Sequence, residues 1–185
     1  MASIKSICVY CGSQPGNDPA FMQSARTLGQ SIASANLELV YGGGTYGIMG
    51  EVADGVLDAG GRVTGIIPDF LLGREGRNED LDKLSEVIVT PDMHTRKQTM
   101  FERSDAFVTL PGGIGTLEEI VEIMTWAQLG RHDKPMVFAN VNGYWDTTFA
   151  QLQKMRESGF LHSEQNLKPL IIDDASQIVP SLLAL

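Results

Sequence analysis

The stretch Leu37-Glu38-Leu39-Val40-Tyr41-Gly42-Gly43-Gly44-Thr45-Tyr46-Gly47-Ile48-Met49-Gly50 decides the fold. Its first five residues read as a strand buried on both faces, and the chain then passes through a glycine loop directly into a helix. The same order returns at Ala106 to Leu110, followed by Pro111-Gly112-Gly113-Ile114-Gly115-Thr116 and a helix expected to start near Leu117. Further strand-like runs lie at Ile4 to Tyr10, Arg62 to Ile67, Val87 to Val89, Pro135 to Ala139 and Leu170 to Ile172. Between them are helical spacings such as Phe21, Ala25, Leu28, Ile32 and Ala35, or Leu117, Ile120, Val121 and Met124. This alternation predicts an α/β fold with a mostly parallel sheet of about seven strands and helices on both faces. Ligands of such sheets bind beyond the carboxyl ends of the strands, where both glycine loops fall.

The 185 residues are read as a single domain, 1–185, large enough to bury a core without disulfides or structural metal. Hydrophobic residues make up 43% and charged residues 20%, which excludes disorder and fibrous repeats. The net charge of −9 repels polynucleotide phosphates, so the expected partner is a small molecule and not a nucleic acid polymer. No apolar run has the roughly 18 residues of a membrane span, and the N-terminus has no basic region leading into an apolar one. No membrane association and a cytoplasmic location are expected.

Cys8 and Cys11 are the only cysteines. A zinc site needs a second ligand pair, which His94, His132 and His162 do not supply by spacing. A redox C-x-x-C opens a helix, whereas this one closes a strand, so two buried thiols and no metal are expected.

The first glycine loop contains G-x-G-x-x-G as Gly42, Gly44 and Gly47, which suits either a phosphate at a helix N-terminus or a tight turn. A redox dinucleotide enzyme would use Asp69 on the ribose, but the fingerprint is not on the first strand and no second domain follows. The second loop lacks the lysine of a P-loop. In it, Thr116 and Glu119 have capping-box spacing, with Thr116 as N-cap, so Glu119 is either a cap or a reactive carboxylate. Glu118, Glu119 and Glu122 cluster near this loop. Thr90-Pro91 reads as N-cap and N1 of a helix carrying His94, Arg96 and Lys97, of which only one cation is expected to face a given ligand atom. His94 reads as a hydrogen-bonded support. Leu72 to Asp82 is a solvated loop or a flap over the strand ends.

Pro111-Gly112-Gly113-Ile114-Gly115-Thr116-Leu117-Glu118-Glu119 matches the P-G-G-x-G-T-x-x-E signature of the Lonely Guy family, and Met93-His94-Thr95-Arg96-Lys97 resembles its arginine motif. The likeness extends through Cys11-Gly12-Ser13, Tyr41 to Gly50, and Thr125-Trp126-Ala127-Gln128-Leu129-Gly130. The resemblance implies a Rossmann-like fold, a homodimer, and hydrolysis of cytokinin riboside 5′-monophosphates, or of AMP, to free base and ribose 5-phosphate. It implies Arg96 and Glu119 as catalytic pair. The substrate site would comprise Ser13, Gly43, Gly44, Lys97, Gly112, Gly113, Ile114, Gly115, Thr116, Leu117, Glu118, Glu122 and Thr125. A loop glutamate best matches Glu75, but the interval to Arg96 is a few residues long, which keeps Glu79 as a rival. No cofactor is implied. The competing reading is a carrier of a phosphate ligand or molybdenum cofactor on the same fold, which needs the glycine loops but not the Arg96 and Glu119 pair.

Overall fold

The computed structural model describes residues 3–74, 78–161 and 167–185. Its strands are β1 (Ser6–Tyr10), β2 (Glu38–Tyr41), β3 (Arg62–Pro68), β4 (Glu86–Thr90), β5 (Ala106–Thr109), β6 (Met136–Ala139) and β7 (Leu170–Ile172). The helices are α1 (Pro19–Ser34), α2 (Gly47–Asp58), α3 (Asn78–Leu81), α4 (Met93–Glu102), α5 (Ile114–Gln128), α6 (Asp146–Glu157) and α7 (Ile178–Leu183). Among the described residues the sheet has seven strands in the order β4-β3-β2-β1-β5-β6-β7, and every pairing is parallel.

β1 sits at the centre and all five of its residues are buried. Alternate side chains go to opposite faces, as the strand period requires. Ile7 and Val9 join a core built with Leu28 and Ile32 of α1, Val52 and Val56 of α2, and Ile178 and Leu182 of α7. Cys8 and Tyr10 join the other core, with Met100 of α4, Ile120, Ile123 and Met124 of α5, and Trp145 beside α6. Burial on both faces is why these strands read as unbroken apolar runs.

Two local expectations are corrected. The helix after β5 begins at Ile114 with Gly113 as N-cap, so Thr116 is its third residue, Glu119 its sixth, and no capping box exists. The two glycines after Pro111 let the chain start turning early; its first helical bond runs from the Leu117 N–H to the Gly113 carbonyl at 3.1 Å. Likewise Thr90 is still strand, paired in register with Pro68, and the N-cap of α4 is Asp92, whose carboxylate accepts from the Thr95 N–H at 2.7 Å. An ionised aspartate is a strong cap, and it displaced the Thr-Pro alternative.

Cys8 and Cys11 belong to the cores on opposite faces, and both are free thiols. Burial, and then the charge of Glu119, raises both above the ordinary cysteine range, which disfavours the reactive thiolate. Iodoacetamide at pH 8 is therefore expected to leave both cysteines intact in the native protein and to modify both after unfolding in guanidinium. Peptide mass analysis reads this directly, and native alkylation of Cys11 at the rate of a free thiol contradicts it.

Candidate active site

Strand order reverses direction between β1 and β5, so the chain leaving β1 crosses to α1 on one face and the chain leaving β5 crosses to α5 on the other. A crevice at such a switch point is the expected ligand site. Here the loop after β1 is wedged between the two glycine loops. The Gly12 N–H donates to the Pro111 carbonyl at 3.1 Å, and a Cβ on Gly12 would lie 3.2 Å from Gly112 Cα. On the other side the Met49 N–H donates to the Gly12 carbonyl at 3.1 Å, and a Cβ on Gly47 would lie 2.5 Å from the Ser13 carbonyl.

This convergence borders a half-open cavity of about 200 Å³. Cys11, Gly12 and Ser13 line it with Met49, with Leu71 beyond β3, with Met93 and Arg96 of α4, and with Gly113, Gly115, Thr116, Glu118 and Glu119 at the start of α5.

Arg96 and Glu119 are only 3% and 7% exposed, so a permanent cation and a carboxylate share a desolvated space. The guanidinium donates from Nε to the Ile66 carbonyl at 3.1 Å and from Nη2 to the Gly42 carbonyl at 2.6 Å, with Nη1 3.7 Å from the Met93 sulfur. Buried charge is tolerable only with such acceptors. Lys97, one position on, points elsewhere: its Nζ lies 2.5 Å from Glu118 and 3.2 Å from Glu122. Burial depresses the Lys97 pKa, but the hydrogen bonds and charges of Glu118 and Glu122 outweigh it and hold the amine above its ordinary value. Glu118 and Glu122 are one turn apart and clasp the same lysine, while Glu119 is rotated about 100° from Glu118 and is buried at the cavity.

Of the residues singled out from the sequence, the structure brings Ser13, Arg96, Gly113, Gly115, Thr116, Glu118 and Glu119 to the cavity. Gly43 and Gly44 are buried in their loop outside its lining. Gly112 packs against Thr116 and Gly12, Leu117 packs on the core, and Ile114 is 84% exposed. Lys97 and Glu122 line a separate cleft of about 500 Å³ between α4 and α5, with the exposed His94 and with Trp126. Thr125 is exposed and donates to the Val121 carbonyl at 2.7 Å. Glu79 lies exposed on α3, and Glu75 lies outside the described residues. Gly12, Met49, Leu71 and Met93 were not assigned to the site from the sequence. Gly12 and Leu71 sit just beyond β1 and β3, so applying the strand-end rule to every strand would have reached them, whereas Met49 lies in the first turn of α2.

The first turn of α5 has no side-chain cap and no acidic residue. Its leading N–H groups lack intrahelical acceptors, and together with the helix dipole they favour an anion. Nothing lies within 4 Å of where a Cβ would be on Gly113 or Gly115, so the protein leaves this space open.

These features define a Rossmann-like α/β protein with an anion-receptive cavity bearing a buried guanidinium and carboxylate at its switch point. The family model described as "Possible lysine decarboxylase" matches residues 49–182. The chain is 46% identical over 160 residues to the cytokinin riboside 5′-monophosphate phosphoribohydrolase LOG1 of Arabidopsis thaliana, covering 86% of this chain and 74% of that one. It is 44% identical over 178 residues to LOG4 of the same plant, covering 95% and 80%. The chain belongs to this family, the Lonely Guy family. The molybdenum cofactor binding protein of Rippkaea orientalis shares the fold, with a TM-score of 0.71 at 21% identity over 100% of this chain and 98% of that one.

Proposed function

We propose that this chain hydrolyses the N-glycosidic bond of adenosine 5′-monophosphates, N6-modified or plain, releasing the base and ribose 5-phosphate. The observation that carries this reading is that buried Arg96 and buried Glu119 line one cavity with the uncapped start of α5. The activity named for the LOG relatives supports it.

The chemistry follows from the placement. The 5′-phosphate binds at the N–H groups around Gly113, Gly115 and Thr116 and so fixes C1′ in the cavity. As the C1′–N9 bond breaks, positive charge develops on the ribose, and the Glu119 carboxylate stabilises charge that exists only in the transition state. Water adds its oxygen to C1′ on losing one proton to Glu119; Glu119 releases that proton to solvent, the departing base takes one up from solvent at N9, and the carboxylate is restored. Arg96 remains protonated and offsets negative charge building on the base. Met49, Leu71 and Met93 supply apolar wall for a flat ligand.

Lysine decarboxylation needs pyridoxal phosphate on a Schiff-base lysine, and the residues here do not fit that group. Lys97 is held as an ammonium between Glu118 and Glu122 and does not line the cavity. A carrier function has no use for the Arg96 and Glu119 pair.

The subunit we propose acts as a homodimer through α5. Of Met124, Trp126 and Leu129, which suggested an interface in the sequence, Met124 is core and Trp126 packs on it, while Leu129 is 71% exposed. Ile114 and Val121 extend the apolar stripe along the same side. We propose a cytoplasmic setting, which cell fractionation checks. No helix among the described residues is long and apolar enough to cross a membrane.

Chromatography for free base tests the activity. AMP is expected to exceed adenosine by at least about 100-fold in kcat/KM, because the phosphate anchor orients the sugar. Glu119→Gln is expected to lower kcat by about 100-fold or more with a modest change in KM, and no loss of helix capping complicates the result. Equal use of adenosine, or an unimpaired E119Q, sinks the reading. Light scattering is expected to give twice the mass of the chain at micromolar concentration; the monomer mass contradicts the dimer.

A further inference from the structure

We infer that Gly42 is a positioning residue for Arg96: the missing side chain at the end of β2 leaves the space that the guanidinium occupies between β2 and β3. The role deepens the proposed reading of the cavity and rests on it for its catalytic consequence. The three atoms nearest to a Cβ built on Gly42 are Nη2, Cζ and Nε of Arg96, with Nη2 in direct collision and Cζ at 3.1 Å. No other neighbour comes as close. Gly42 also lies outside the left-handed backbone region, unlike Gly43 and Gly47 of the same loop, so alanine would fit the backbone there.

Two acceptors of the guanidinium are main-chain carbonyls, those of Gly42 and Ile66. A carbonyl is present whatever the side chain, so at position 42 the sequence acts on this contact through volume. Without a Cβ at position 42, Nη2 approaches its carbonyl to 2.6 Å and the planar fork bridges two adjacent strand ends. With a Cβ there, the guanidinium has to retreat. Arg96 is 3% exposed and packed beside Met93, so it has little room to do so without leaving the cavity wall. The first glycine of the G-x-G-x-x-G run thereby serves the arginine of a helix more than fifty residues downstream, and not a ligand phosphate.

The test is a double-mutant cycle read by thermal unfolding of the full chain, with Gly42→Ala in the wild-type background and in Arg96→Lys, whose single ammonium lacks the branch carrying Nη2. Overpacking is expected to lower Tm by about 5 °C in the wild-type background and by less than about 1 °C in R96K. A G42A chain that is soluble only together with R96K supports the inference equally. If R96K does not fold, Arg96→Met takes its place in the cycle. The same Tm loss in both backgrounds overturns it, since that is the signature of a backbone requirement.

A second readout addresses catalysis. G42A is expected to lower kcat on AMP by about 100-fold, the cost of a displacement near 1 Å, while KM stays within about threefold because the α5 anchor is untouched. Full turnover by G42A in an active background also overturns the positioning role. If the wild-type chain does not cleave AMP, the proposed function fails while the thermal cycle still judges Gly42.

Discussion

A guanidinium cannot shed its charge, and placing one in the interior obliges the surrounding backbone to solvate it. In this chain the carbonyls of Gly42, just past β2, and of Ile66, within the neighbouring parallel strand β3, take part in that solvation. The arrangement joins α4 to the sheet, fixes the first glycine loop, and leaves a cation at the wall of the cavity. Leaving a donor of such a buried group without its acceptor costs about 1–3 kcal/mol or more, enough to favour a single geometry against thermal motion.

The rest of the site follows from sheet topology. Placing β1 beside both β2 and β5 brings three loops to one point, and only residues without Cβ allow Gly12 and Gly112 to pass at that distance. The start of α5 is then presented to the crevice without a side-chain cap. A carboxylate on the second turn of the same helix faces the space those groups border. Anion anchor and carboxylate thus arrive on α5 and the guanidinium on α4, two segments separated in sequence and brought to one crevice by the sheet.

Much of this was legible beforehand because each strand is buried twice and so carries an unbroken apolar signature, as Ile7 to Tyr10 and Ala106 to Leu110 do. The motifs gave Arg96 and Glu119 by resemblance, and the structure sets both at one cavity. Helix starts were less legible, since Thr116 with Glu119 and Thr90 with Pro91 satisfy local capping rules that tertiary context did not select. Gly113 and Asp92 begin those helices instead. The glycine run from Gly42 was ambiguous for a different reason. A glycine announces that something comes close, and sequence does not say whether that is a phosphate or, as at Gly42, an arginine from another element. The partner of Lys97 was equally hidden, because the Glu118 and Glu122 clasp depends on how α4 lies against α5.

The most direct test of the account is a crystal structure of the E119Q chain with AMP bound. The account predicts phosphate oxygens within hydrogen-bond distance of the N–H groups between Gly113 and Thr116, C1′ facing the side chain at position 119, and Arg96 still on the Gly42 and Ile66 carbonyls. A nucleotide seated in the cleft between α4 and α5, with its phosphate on Lys97, would contradict it.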